Sequence, residues 1–213
     1  MDFLPSLAVF TSFTLAALAL TLTPGPDMTL FLGRALTQGR SAGMAAMFGA
    51  ATGVIIHTML AAFGISALIQ ASPKGFFILK IVGALYLLWL AIQAIREGSA
   101  FSLEEAKTKP KSLTNNWLTG IGINLLNPKI ILFFITFLPQ FISPEDPNAT
   151  GKMIFLGFYF IAIAIAFCSA MIYAVDSVAE TLKRNPKVTR AIDWLFAGVF
   201  SAFALRILLT ERG

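Results

Sequence analysis

The sequence predicts an all-α integral membrane protein: six transmembrane helices forming a 3+3 inverted-topology repeat, with broken segments in spans 1 and 4. Three observations lead there. The 213 residues are 57% hydrophobic and only 13% charged, and the mean hydropathy is +0.78. Soluble domains run at roughly 45–50% and about 25%. The apolar residues gather in long runs without a strand's alternation, and lipid accepts only helices or closed barrels because it satisfies no backbone polar group. The two halves also carry matching interruptions.

About 20 apolar residues cross the hydrocarbon at a rise of roughly 1.5 Å each. Six runs qualify: residues 3–22, 43–69, 75–95, 117–138, 153–175 and 191–209. No basic residue precedes Arg34, so the first run lacks the positive flank of a cleaved signal peptide and is kept as a span. The basic residues fall in blocks. Arg34 and Arg40 follow span 1; Arg96, Lys107, Lys109 and Lys111 follow span 3; Lys183, Arg184, Lys187 and Arg190 follow span 5. The opposite loops carry Lys74 and Lys152. The positive-inside rule puts the first three loops in the cytoplasm and both termini outside. The chain is thus one transporter-like domain, with halves at about 1–98 and 112–213 joined by a cytoplasmic loop. Asp176 and Asp193 border such a loop and are expected to be solvated.

The halves echo each other in order. "PDMTLFL" at Pro26 faces "PKIILFF" at Pro128, and "GMAAMFG" at Gly43 faces "GKMIFLG" at Gly151. Three spans followed by three from the opposite side is the parity of an inverted repeat.

The interruptions carry the chemistry. Proline removes an amide donor and clashes with the preceding turn, so "TPGPD" at Thr23 must break span 1 and release backbone groups that lipid cannot satisfy. Pro26 and Pro128 each suit the first turn of a new half-helix, with Gly25 and Asn127 as caps and free amides facing the break. A carboxylate suits such a place. Transporters set discontinuous helices of this kind around a substrate site near mid-membrane. The candidate binding residues are therefore Pro24, Gly25, Pro26, Asp27, Asn127, Pro128 and Lys129. Asp27 and Lys129 offer one partner for an ammonium and one for a carboxylate, which fits a zwitterionic amino acid. A plainer reading stands beside this one: Asp27 caps a helix near Arg34, Lys129 pairs with it, and Asn127-Pro128 is only a kink.

His57 is the sole histidine. It shares a face with Gly49, Gly53 and Ala61 at four-residue spacing, and small residues mark a helix contact. It is expected to point into the bundle, as a proton relay or as a hydrogen-bonded packing histidine. Asp27 and His57 are the proton-coupling candidates. The glycine pair suits packing within one chain or in a homodimer.

An exporter of a non-amino-acid metabolite or ion, and a membrane scaffold subunit that transports nothing, stay open as alternatives; other functions find no foothold. The net charge of +5 is spread over short loops rather than one face, so nucleic acid is not an expected partner. Cys168 is the single cysteine, which excludes an intramolecular disulfide or a thiolate metal site. No P-loop, no GxGxxG and no cluster at metal-ligand spacing occurs. No cofactor, no metal and no enzymatic activity is expected. The partners are a small substrate, protons and the lipid bilayer.

"TPGPDMTLFLGRALTQGRSAGMAAMFGAATGVIIH", "GALYLLWLA" and "NLLNPK" together resemble the lysine exporter (LysE/RhtB) family of bacterial inner-membrane amino-acid exporters. The resemblance runs in order over essentially the whole chain. It implies secondary export of basic amino acids, threonine, homoserine or related metabolites, energised by the proton motive force. It also supplies the direction, which the residues alone do not. The family's broken first segment falls on Pro24, Gly25, Pro26 and Asp27, and its fourth-span motif on Asn127, Pro128 and Lys129.

Overall fold

The computed structural model describes residues 5–23, 25–97, 111–143 and 146–210. Pro24, Lys107 and Lys109 lie outside them. All regular elements among these residues are helical. Helix α1 (Leu7–Leu22) starts at Ser6, whose hydroxyl accepts the Val9 amide. It stops at Thr23, and α2 (Pro26–Gln38) resumes behind Gly25 with Pro26 in its first turn. The bend between them is 53°. Gly39 joins α2 to α3 (Arg40–Ala71) at φ +90, where a residue with a Cβ is strained. α4 spans Pro73–Glu97.

The second half repeats the pattern with less regularity. α5 (Leu113–Leu125) is capped by Ser112, and the chain breaks at Leu126-Asn127. It resumes as the short α6 (Pro128–Leu132), a π-helical stretch (Phe133–Phe137) and a 3-10 turn (Leu138–Phe141). This composite bends from α5 by 54°. Then come α7 (Ala149–Tyr173), α8 (Val175–Arg184) and α9 (Pro186–Thr210).

Arg40–Gly64 and Ala149–Tyr173 are each long and apolar enough to cross a membrane, and counting each bent pair as one span gives up to four among the described residues. α4 and α9 have 25 residues each, or about 37 Å of helix. α3 packs along α5 and α7, α4 along α9, and α1 against α7. The α3–α5 contact is backbone to backbone. A Cβ on Gly49 would lie 1.9 Å from the Trp117 carbonyl oxygen, and one on Gly120 would lie 2.0 Å from that of Ala46. Small residues thus pack two helices within one chain. Large apolar side chains such as Leu60, Phe63, Ile78 and Leu85 point outward, as they do where the surrounding solvent is lipid.

The interior divides into two apolar cores. One is phenylalanine-rich and gathers Phe13, Phe133, Phe134, Phe137, Phe160 and Phe200. The other joins Met28, Phe31, Leu32, Met47, Cys168 and Ile172.

Two details differ from the sequence reading. The segment after span 5, read as a loop, is largely the helix α8, separated from α7 by Ala174 alone. "VDSVAETLKR" spaces Val175, Val178 and Leu182 at helical intervals and puts Asp176 in the first turn, where the helix dipole favours an acid. Asp193 is buried at 2% exposure rather than solvated, because it shares the inward face of α9 with Ala197, Phe200 and Ala204 while Trp194 and Leu195 face outward. Lys152, in the first turn of α7, pairs with Asp146. That ammonium holds the Asp146 carboxyl below the usual carboxylate range.

Candidate functional site

The two breaks meet. Asp27, in the first turn of α2, accepts through Oδ2 from the side-chain amides of Asn124 at 2.9 Å and Asn127 at 3.1 Å. Both donors flank the second break, Asn124 in the last turn of α5 and Asn127 at the break itself. Lys129, in the first turn of α6, sends its Nζ the other way, donating to the backbone carbonyls of Thr23 at 2.9 Å and Leu20 at 3.3 Å. Those carbonyls belong to the first break and lack helical partners there. Thr23 adds its own hydroxyl to the Ala19 carbonyl at 2.6 Å. Each break thus supplies what the other leaves open, which is what a lipid-embedded interruption requires.

Asn127 works twice. Its Nδ2 reaches Asp27 while its Oδ1 accepts the Lys129 amide at 3.0 Å. One of the amides expected to face the break free is therefore already capped. Gly25 leaves room for the lysine, since a Cβ there would lie 3.1 Å from Nζ.

A cavity opens at this crossing, lined by Asp27, Lys129 and Asn124. It lies where the two cores meet, with Val54, Phe160 and Ile161 from one and Met28, Phe31 and Met47 from the other. On two of these lining residues, Asp27 Oδ1 and Asn124 Oδ1 are buried without a hydrogen-bond partner. Two of the three ammonium protons of Lys129 are engaged by carbonyls, which leaves one for a ligand.

Of the residues singled out from the sequence, Asp27 and Lys129 line the cavity. Gly25 and Asn127 stand directly behind them, and Pro26 and Pro128 occupy the first turns of α2 and α6. Pro24 falls outside the described residues. His57 is buried on α3, stacked near Phe134, with Nε2 3.4 Å from the Asn124 carbonyl oxygen. It reaches Asp27 only through Asn124. The residue missed is Asn124: it opens the "NLLNPK" stretch, yet a lone amide in an apolar run carries no signal until α5 is placed against α2 and α3.

A membrane-type helical bundle with paired helix breaks around a largely apolar cavity that holds an acid and a base is the architecture of a translocator. The profile of the LysE type translocators matches residues 18–211, and the chain belongs to that family. It is 30% identical to a homoserine/homoserine lactone efflux protein of Salmonella typhimurium over 189 residues, covering 89% of this chain and 90% of the relative. It is 30% identical to a leucine efflux protein of an Enterobacter species over 203 residues, covering 93% and 94%. A membrane protein of Bacillus subtilis is 27% identical over 198 residues, covering 89% and 93%. No solved structure matches the chain.

Proposed function

We propose that this protein is a secondary exporter of small amino acids across the bacterial inner membrane, driven by proton antiport. In this reading six helices span the bilayer as two inverted sets of three, with both termini outside, and the halves rock about the crossed breaks. The similar bends of 53° and 54° at matching places support the repeat. The efflux proteins among the relatives support the direction. The observation that carries the proposal is the cavity holding one acid and one base on opposite breaks.

The substrate's carboxylate takes the remaining Lys129 proton and its ammonium takes Asp27 Oδ1. A proton competes for that same oxygen. A site that holds either the substrate cation or a proton, but not both, exchanges one for the other across the membrane. His57, one hydrogen bond behind Asn124, is the second proton candidate. Binding that draws the two breaks together is the differential interaction that shifts the transporter between its open faces.

Efflux of labelled amino acids from proteoliposomes, with and without an imposed pH gradient, tests this. The expected result is efflux of a few amino acids that the gradient accelerates. Folded protein that moves no amino acid defeats the proposal.

A further inference from the structure

Resting on the reading of this cavity as an amino-acid site, we propose that Asn124 and Asp27 together form the substrate's ammonium subsite. We propose further that the site takes neutral amino acids with apolar side chains. Asn124 is 1% exposed, and its amide orientation is set by the carboxylate. With Nδ2 bonded to Asp27 Oδ2 at 2.9 Å, Oδ1 is the oxygen left over. That oxygen and Asp27 Oδ1 are two buried acceptors without donors, on two groups hydrogen-bonded to each other and lining one cavity. Buried acceptors in pairs call for a donor with more than one proton. An ammonium provides it, and no such donor is left in the protein at this spot, because Lys129 is turned to the Leu20 and Thr23 carbonyls.

The remaining wall decides the side chain. Beyond Asp27, Asn124 and Lys129 the lining is mainly hydrocarbon and thioether, from Leu20, Met28, Phe31, Val54, Phe160 and Ile161 among others. Asp27 is the single carboxylate among the described lining residues, and one carboxylate matches one ammonium. A lysine substrate would bring a second ammonium into this wall without a counter-charge, which is costly. A leucine- or methionine-like side chain meets mainly apolar atoms, with Thr21, Thr23 and Cys168 as the exceptions.

The test is competition against labelled leucine for purified protein. The competitors are methionine, lysine and 4-methylpentanoate, which is leucine without its ammonium group. Wild type is expected to bind methionine within about ten-fold of leucine, and lysine and 4-methylpentanoate at least about 100-fold more weakly. Asn124→Ser is expected to weaken leucine about ten-fold and to leave 4-methylpentanoate unchanged. Equal weakening of both ligands makes Asn124 structural and overturns its part in the subsite. Lysine binding as well as leucine overturns the apolar selectivity. If Asn124→Ser fails to fold, Gly53→Ala moves the same amide, because the added Cβ would lie 2.6 Å from Asn124 Oδ1. It should show the same ligand dependence. Efflux of other amino acids with this pattern absent removes only this inference. No efflux of any amino acid removes the exporter reading beneath it.

Discussion

The two breaks bend almost equally, by 53° and 54°, yet they are built differently. The first ends one regular helix and starts another behind a glycine that has no side chain to cap it. Its exposed groups are backbone carbonyls, and it contributes a carboxylate. The second is capped from within by Asn127 and runs on through a short helix, a π stretch and a 3-10 turn. It contributes amides and an ammonium. The asymmetry makes the pair complementary: acceptors on one side and donors on the other, with a cavity between them. Two identical breaks would each leave the same kind of group unsatisfied.

Removing the donor side should have the largest effect. Lys129→Met strands the Leu20 and Thr23 carbonyls, at about 1–3 kcal/mol for each buried acceptor. Thermal unfolding in detergent should fall by roughly 5–15 °C, and efflux should vanish. A variant as stable as wild type would mean that water already serves those carbonyls. Asp27→Asn sharpens the contrast, because it is isosteric and its oxygen still accepts from an amide. Unfolding should move by no more than about 2 °C, while gradient-driven efflux falls by about 100-fold. A large loss of stability with efflux intact would return Asp27 to helix capping.

Asn127→Ala removes a cap and one amide to Asp27, and should cost about 1 kcal/mol by denaturant or thermal unfolding. Gly25→Ala meets only the flexible end of Lys129, so a small stability change with a raised KM is expected from efflux kinetics. The smallest effect lies outside the breaks, at Asp146. Its carboxyl is held low in the folded protein by Lys152, so its contribution is present above the ordinary carboxylate pKa and lost as pH falls through the lowered value. Unfolding followed from pH 6 to pH 3 should show a slightly shallower loss for Asp146→Asn than for wild type.

Much of the site was legible because its residues break rules. Prolines and charges inside apolar runs are costly, so Asp27 and Lys129 stood out by type alone, and the four-residue glycine spacing placed His57 on a contact face. Asn124 did not stand out. An amide is tolerated in many helices, and its meaning arises from a contact with Asp27, 97 positions away in the chain. The π stretch "FFITF" and the burial of Asp193 were equally silent, since the first packs among α4, α7 and α9 and the second depends on which face of α9 turns inward. α8 was hidden by its charge, which resembles that of a loop.

Binding of labelled amino acid to purified protein reads occupancy of the site without transport. The decisive measurement is that binding, for wild type and Asp27→Asn, beside efflux of the same amino acid from proteoliposomes. If the crossed breaks hold the substrate, exported amino acids bind with half-saturation near the concentration that half-saturates transport, and Asp27→Asn loses the binding. Binding that Asp27→Asn leaves unchanged while those amino acids are exported would place the substrate elsewhere in the bundle.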